Sequence, residues 1–399
     1  GIQWHSGAWT SVMRTDRANR WGTWRSSSND VATVYPDYGT WTELANSSWV
    51  FGTDASGIGL GGFSGKLNLG VPLLTDADTK GDYSGVLNGS HDAAFTALAQ
   101  ACAAAGFASR TWVRLGIEVN GDWFNNQVTW ANTANYRAAC QRVVGLFRAV
   151  HNGFRFGPDI SAGTLITGAP TGTTAAQVLD ALWPGDAYAD GWGVDTYDHW
   201  HLAVPNAGAM ANHLRPTQGI GIGHVADWLR AHGGNKVLVL PEWGCATYAN
   251  GGGDNPLYIE QMHAWFAANL DVVAFECYFN EPYQNVLNSL WNEFGDPQQC
   301  PNAGAKYKQL FVGTTTSGGS TGGGGSSGST TYPTKVVRCY KKIWSSDTPI
   351  TAVPANATEI ALAFGQGTPP SLTGTTNAGS TAFYAALASR RTAGQKIIL

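Results

Sequence analysis

Eight short runs rich in Val, Ile, Leu and aromatic residues punctuate the first three quarters of the chain. Between them the apolar spacing switches to a helical period. The runs are IQWHS (2–6), DVATVYP (30–36), KLNLGVPLL (66–74), TWVRLGIE (111–118), FRFGPDI (154–160), GWGVDTY (191–197), KVLVLPEW (236–243) and VVAFECYF (272–279). Several are apolar without alternation, as strands buried on both faces are. In DAAFTALAQACAAAG, Phe95, Leu98 and Cys102 share one helical face and Gly106 supplies a stop. In NYRAACQRVVGLFRAVHNG, Tyr136, Cys140, Val143, Val144 and Phe147 do the same. HVADWLRAHGG and LYIEQMHAWFAANL read similarly. Eight such alternations predict an α/β fold, a (β/α)8 TIM barrel. An open doubly wound sheet is the runner-up. Its Gly-rich phosphate turn is matched only by GIGLGG (57–62), which opens no helix, and no P-loop pattern occurs.

The barrel region is residues 1–312. The stretch GTTTSGGSTGGGGSSGSTT (313–331) holds no large apolar residue and predicts a flexible linker. Beyond it, residues 332–399 read as strand, strand, then helix and strand: KVVRCYKKIW, ATEIALAFGQG and FYAALASRRTAGQKIIL. This tail is too short to close a barrel of the ~250 residues such folds need. It is read as an incomplete α/β segment or a small independent module.

In a barrel the C-terminal ends of the strands carry the chemistry. Glu118 ends the fourth run and Glu242 stands near the end of the seventh. Two carboxyl groups facing one bond are what glycoside hydrolysis needs, one to protonate the leaving oxygen and one to attack or to activate water. A lone strand-end Glu is ordinarily an ion-paired structural residue, and Asp76, Asp78, Asp159, Asp195, Asp198 and Glu276 also lie near strand ends. A competing metal reading gathers Asp195, Asp198, His199 and His201 in DTYDHWH. It lacks partners from other strand ends, where His5 is the one further candidate, so a structural or sugar-binding loop is expected and neither metal nor cofactor is called for. G-x-S-x-G occurs only inside the linker, where no strand-to-helix elbow forms.

Composition narrows the partners. Only 13% of residues are charged and the net charge is −4, with no basic stripe, which argues against nucleic acid. No apolar run reaches the ~18–20 residues of a membrane span. The 17 Trp, with abundant Asn, Ser and Thr, suit a protein that stacks on sugar rings, although most Trp are expected to be packing residues. Six Cys occur without a CxxC; Cys102 and Cys140 are open to a disulfide in an oxidising compartment or to buried free thiols. NSS (46–48), NGS (88–90) and NAT (356–358) fit the N-glycosylation pattern. The chain begins at Gly1 without a leader, and a removed leader and a fragment are both open.

Three segments resemble glycoside hydrolase family 26, a family of β-mannanases and related endo-β-glycanases. VRLGIEVNGDWF (113–124) resembles its R-x-x-H-E-x-N-G-x-W-[FY] segment through Arg114, Glu118, Asn120, Gly121, Trp123 and Phe124. WPGDAYADGWGVDTYD (183–198) is similar to W/Y-P-G-D-x-Y-V-D-x-x-G-x-D-x-Y, and VLPEWG looks like the segment ending S-E-F/W-G. The resemblance implies that Glu118 is proton donor and later general base, that Glu242 is the nucleophile, and that Tyr197 hydrogen-bonds it. Asp195 would brace the loop, Trp123 and Trp243 would wall the sugar site, and Arg114 would set the charge of Glu118. Asn120 would contact sugar, and Trp200 with His199 and His201 would build a further pocket. The mechanism implied is retaining double displacement on a polysaccharide. The family has His before its acid/base Glu, and here that residue is Ile117. The sugar therefore stays open between β-mannan or a related β-glycan and a bacterial cell-wall glycan such as arabinogalactan, cleaved by a sister family. A catalytically inactive carbohydrate-binding barrel is the reading from another class; both carboxylates are present, which favours an enzyme. The tail's IALAFGQG and GQKIIL resemble the start of glycoside hydrolase family 18. A monomer is expected, secreted or carried on a phage particle.

Overall fold

A computed structural model describes residues 2–54, 56–248, 250–312, 338–342, 359–363 and 396–398. Two compact units divide the chain, Gly1–Ser317 and Gly318–Leu399. In the first, eight parallel strands close into a barrel in sequence order. They are β1 (His5–Trp9), β2 (Val31–Val34), β3 (Lys66–Val71), β4 (Thr111–Leu115), β5 (Arg155–Ser161), β6 (Gly191–Tyr197), β7 (Val237–Gly244) and β8 (Val273–Phe279). β1 pairs with β8, His5 opposite Phe275 and Trp9 opposite Phe279, and this pairing closes the ring. The expected eight strands are present in the expected order. The first is displaced from 2–6 to His5–Trp9, because Ile2 and Trp4 join the apolar core cluster instead.

Helices fill the return paths: α1 (Thr15–Trp24), α2 (Trp41–Ala45), α3 (Ser84–Asn88), α4 (Asp92–Ala104), α5 (Thr133–Val150), α6 (Ala175–Leu182), α7 (Met210–Leu214), α8 (Ile222–His232), α9 (Pro256–Ala268) and α10 (Pro301–Leu310). Their boundaries follow local chemistry. Thr174 and Gln177 form a reciprocal cap at the start of α6. Pro256 opens α9 after Asn255, whose side chain accepts from Tyr258 N–H. The apolar faces of α4 and α5 are fully buried, including Phe95, Leu98 and Cys102 on one and Tyr136, Val143 and Phe147 on the other. Cys102 and Cys140 are buried free thiols, not a disulfide.

Inside the barrel the side chains change character from bottom to top. Val31, Trp112, Val239, Phe275 and Cys277 form an apolar layer at the N-terminal ends. Above them Asn68 Nδ2 donates to Thr33 Oγ1 (3.0 Å), and Thr33 donates to the Pro241 carbonyl (3.1 Å). Above these, Arg114, Asp159, Asp195 and Glu242 come together from four consecutive strands or strand ends. His5 begins β1 and lines a cavity at the opposite end from this charged layer, so it cannot join a site there.

In the second unit, β9 (Arg338–Lys342), β10 (Glu359–Ala363) and β11 (Lys396–Ile398) form a parallel sheet in the order β11-β10-β9. The expected linker and the helical stretch FYAALASRR lie outside the described residues.

Candidate active site

Glu242 reaches the cleft because β7 carries one extra residue. From Gly193 to Thr196, β6 advances three positions while β7 advances four, from Val239 to Trp243. From Glu276 to Tyr278, β8 advances two while β7 advances three, from Leu240 to Trp243. A bulge of this kind resets the alternation of side chains. Val239 faces inward and Leu240 outward, yet Glu242 faces inward again and Trp243 faces the helices. Both oxygens of Glu242 are gripped. Arg114 Nη1 (2.8 Å) and the Tyr35 hydroxyl donate to Oε1, and the Tyr197 hydroxyl donates to Oε2 (2.7 Å). Burial and the neighbouring Glu242 push both tyrosines well above their ordinary range, so they remain neutral donors.

Glu118 stands three residues beyond β4, which ends at Leu115. Gly116 takes a left-handed backbone (φ +82°), and Glu118 itself has φ +46°. For a non-glycine residue that conformation costs about 1–2 kcal/mol. Several bonds offset it. Glu118 N–H donates to Asp159 Oδ1 (3.0 Å), and Val119 N–H donates to the Asp159 carbonyl (3.0 Å). Asn126 clasps the preceding residue, its Nδ2 donating to the Ile117 carbonyl (2.9 Å). Burial, then the charge of Glu242, raises the Glu118 carboxyl from 4.5 to about 7, against the pull of hydrogen bonds from Ser161 and Trp123. The Trp123 bond is direct, Nε1 to Oε2 at 2.6 Å. The cleft therefore holds a carboxyl that keeps its proton near neutrality facing one clamped by an arginine.

Beneath them lies a buried charge cluster. Arg114 Nη2 donates to Asp159 Oδ1 (2.8 Å) and to Asp195 Oδ2. Burial disfavours the Arg114 charge, but Asp159, Asp195, Tyr35 and Glu242 outweigh it and hold the guanidinium protonated. Burial raises Asp159 and pushes Asp195 well above the usual carboxylate range, against Arg114. Asp159 Oδ2 and Asp195 Oδ1 have no hydrogen-bond partner among the described residues. An orphaned, buried carboxylate oxygen carries a desolvation cost, which is offset in part by the shared Arg114.

The cleft above has a volume of about 620 Å3, within the ~300–1,000 Å3 typical of small-molecule sites. Its walls include Trp9, Tyr35, Ile117, Trp123, Trp200 and Glu281. Trp123 is 46% and Trp200 57% exposed, and Trp200 stacks on His199 with rings 4° from parallel. Glu281 is a further carboxylate of the cleft, held by Trp9 Nε1 (3.1 Å) and Tyr283 N–H (3.0 Å).

Several expectations from the sequence need correction. Arg114, expected to set the charge of Glu118 and to help bind substrate, is fully buried below the cleft and bonds Glu242 and the two aspartates instead. Asn120 is also buried; its amide donates to the Ser161 and Thr164 carbonyls (2.9 and 3.0 Å) and accepts from Ser161 N–H (2.8 Å). It buttresses the loop and, buried, presents no group to a sugar. Trp243 is wholly buried among Tyr278, Phe266 and Phe311, with Nε1 donating to Glu276 Oε2 (2.5 Å). The metal reading of DTYDHWH does not assemble. Asp195 faces Arg114, Asp198 accepts from Val204 N–H and Asn255, and His199 bonds Tyr248. Among the described residues no group of three or more His, Cys, Asp or Glu side chains is placed to hold a metal ion. Trp123, Tyr197 and Trp200 line the cleft with Glu118 and Glu242. Tyr35, Asn126 and Glu281 were not singled out by the sequence. Tyr35 reads there as the end of a buried strand, and only its contact across the barrel with Glu242 and Arg114 shows its role.

No family model and no curated protein sequence matches the chain. Among solved structures, a Cellulomonas fimi endo-β-1,4-mannanase double mutant is similar at 15% identity and a TM-score of 0.50, covering 77% of this chain and 70% of its own. A structure from a study of two fungal β-1,4-galactanases is similar at 10% identity and a TM-score of 0.50, covering 77% of this chain and 100% of its own. Identities this low show the shared (β/α)8 fold and no more. The comparisons lend no support to the family 18-like reading of the tail.

Proposed function

We propose that the protein is a retaining endo-β-glycosidase that cleaves a polysaccharide by double displacement between Glu118 and Glu242. The observation that carries this reading is the contrast between the two carboxyl groups. Glu118 is raised to about 7 and can arrive protonated. Glu242 is clamped by Arg114, Tyr35 and Tyr197, which orient it for attack. In the first step Glu242 bonds the anomeric carbon, and Glu118 gives its proton to the departing sugar oxygen. In the second, Glu118 takes a proton from water, which attacks the glycosyl ester and frees Glu242. Retention requires the two carboxyl groups ~5–5.5 Å apart. Neutral Tyr35 and Tyr197 release their hold on Glu242 as its charge passes into the ester.

The substrate reading is supported by the aromatic walls of the cleft, and two proteins of similar fold are named as a β-1,4-mannanase and a β-1,4-galactanase. A β-linked backbone of hexopyranose units is the leading candidate, with Trp123 and Trp200 as stacking platforms. Ile117 favours keeping a second reading, a cell-wall glycan such as arabinogalactan. It is an apolar residue in the cleft wall where the family 26 pattern has a hydrogen-bonding His. Secretion, or carriage on a particle, fits a polymer-degrading role. The tail is then a separate module beyond a Gly/Ser linker.

The test is a panel of β-mannan, β-1,4-galactan, xylan, mixed-linkage glucan and wall arabinogalactan, with Glu118→Gln and Glu242→Gln beside the parent. Glu242→Gln should lose at least ~1,000-fold in kcat, and the first-formed product should keep the anomeric configuration of the substrate. Full activity in both variants would end the two-glutamate reading. A parent inactive on every polymer would favour a binding protein.

A further inference from the structure

Asp159 has no exposed surface and no part in the chemistry just described, yet it is bonded to both halves of the site. Its Oδ1 accepts from Arg114 Nη2 (2.8 Å), and the other nitrogen of that guanidinium holds Glu242 Oε1 (2.8 Å). The same Oδ1 accepts from the backbone N–H of Glu118 (3.0 Å). The Asp159 carbonyl accepts from Val119 N–H (3.0 Å), so this one residue grips the peptide on both sides of Glu118. Glu118 sits there with φ +46°, a backbone that an L-residue leaves unless its surroundings hold it.

Asp195 provides an internal comparison. It pairs with the same Arg114 nitrogen and lies in the same buried layer. Its carbonyl receives Ala162 N–H, on the loop after β5, and not the Glu118 loop. Neutralising Arg114 therefore does not account for the second bond of Asp159.

We propose that Asp159 is the positioning residue that sets Glu118 against Glu242, acting through a single carboxylate oxygen shared by the Glu118 backbone and the Arg114 guanidinium. The inference rests on the glycosidase reading above. On that reading, the strand-to-strand distance from β4 to β7 is spanned by the chain Glu118 N–H, Asp159, Arg114, Glu242. A displacement of Glu118 by about 1 Å is enough to cost ~100-fold in rate.

Two variants separate this role from support of the fold. Asp159→Asn keeps an oxygen able to accept both bonds, and Asp159→Ala removes it. The first readout needs no substrate: hydrogen–deuterium exchange of the Glu118 amide in the full chain. Protection should be lost in Asp159→Ala and kept in Asp159→Asn. The second readout is turnover of the panel polymer that the parent cleaves. Asp159→Ala should lose ~100-fold in kcat with little change in KM, and Asp159→Asn should stay within about tenfold of the parent. The third uses the 2,4-dinitrophenyl glycoside of the same sugar, whose phenolate leaves without a proton. Azide should restore turnover of Asp159→Ala on it. Azide attacks the anomeric carbon of the ester, displaces Glu242 and gives a glycosyl azide, with no proton passing through Glu118. A misfolded variant is not rescued in this way.

An unchanged Glu118 amide in Asp159→Ala overturns the proposal. So does an Asp159→Asn variant as impaired as Asp159→Ala while its amide stays protected, since charge and not position would then be at work. A parent that cleaves no panel member refutes the glycosidase reading before any variant is made, and the exchange measurement still reports on the tie itself.

Discussion

Replacing Glu118 by Gln removes one titrating group from the cleft and leaves its shape almost unchanged. In the folded chain burial, then Glu242, raises this carboxyl from 4.5 to about 7. In the unfolded chain it returns to the ordinary glutamate range. Below pH 4.5 both states carry the proton, and the group's favourable contribution is fully present. As the pH rises towards 7, the unfolded chain releases its proton while the folded chain still holds it. The unfolded state then binds fewer protons, so stability falls with rising pH until the folded group has also ionised. A rise from 4.5 to about 7, at ~1.4 kcal/mol per pH unit, is worth roughly 3 kcal/mol; because Glu118 is only partly buried, screening trims this to about 2–3 kcal/mol. Gln does not ionise and escapes the loss. The expected result is a variant close to the parent in stability near pH 4 and about 2–3 kcal/mol more stable near pH 8, with the gap opening between them. Urea unfolding followed by Trp fluorescence across that range measures it. Asp159 and Glu276 are raised in both proteins and largely cancel in the difference, whereas Asp195 loses the upward push of the Glu118 charge in the variant, which widens the gap in the same direction. A gap of the same size at both ends of the range would refute the reasoning, because the Glu118 carboxyl would then titrate alike in the folded and unfolded chains.

Two further substitutions separate the packing tryptophans from the cleft tryptophans. Trp243→Phe keeps an aromatic ring in the core but leaves Glu276 Oε2 without its indole donor. It should cost ~1–3 kcal/mol in urea unfolding and leave KM on the cleaved glycan unchanged; a raised KM with unaltered stability would return Trp243 to the cleft. Trp200→Ala should do the reverse. It should raise KM several-fold, as expected for losing an aromatic face worth ~0.5–1.5 kcal/mol, and shift stability by no more than ~0.5 kcal/mol. An unchanged KM would remove Trp200 from the substrate path.

The architecture was legible because eight buried parallel strands leave an unusual trace, apolar runs separated by helical periods. That trace also put Glu118 and Glu242 at the same end of the barrel. Finer placement was not legible, for three physical reasons. The β7 bulge shifts alternation by one residue without altering composition, so PEW does not announce which side chain faces the cleft. Asn120 is an amide in a polar loop, and its partners Ser161 and Thr164 lie on another strand's loop. Asp159 looked like any of several strand-end carboxylates. What distinguishes it is proximity to Arg114 and to the Glu118 amide, which exists only once β4 and β5 pair. The displacement of β1 has the same origin, since its register is set by β8 and not by its own apolar pattern.

The apolar layer of Val31, Trp112, Val239, Phe275 and Cys277 has a bearing on proton traffic. None of the five side chains carries a charge, and they lie between the charged layer and the N-terminal ends of the strands. Glu118 meets solvent at the mouth of the cleft, while Asp159 and Asp195 have no exposed surface. On the proposed function the polymer enters by the same mouth. Once a glycan fills it, Glu118 passes its proton to the leaving sugar and regains one from the attacking water, so bulk pH sets its charge chiefly between turnovers.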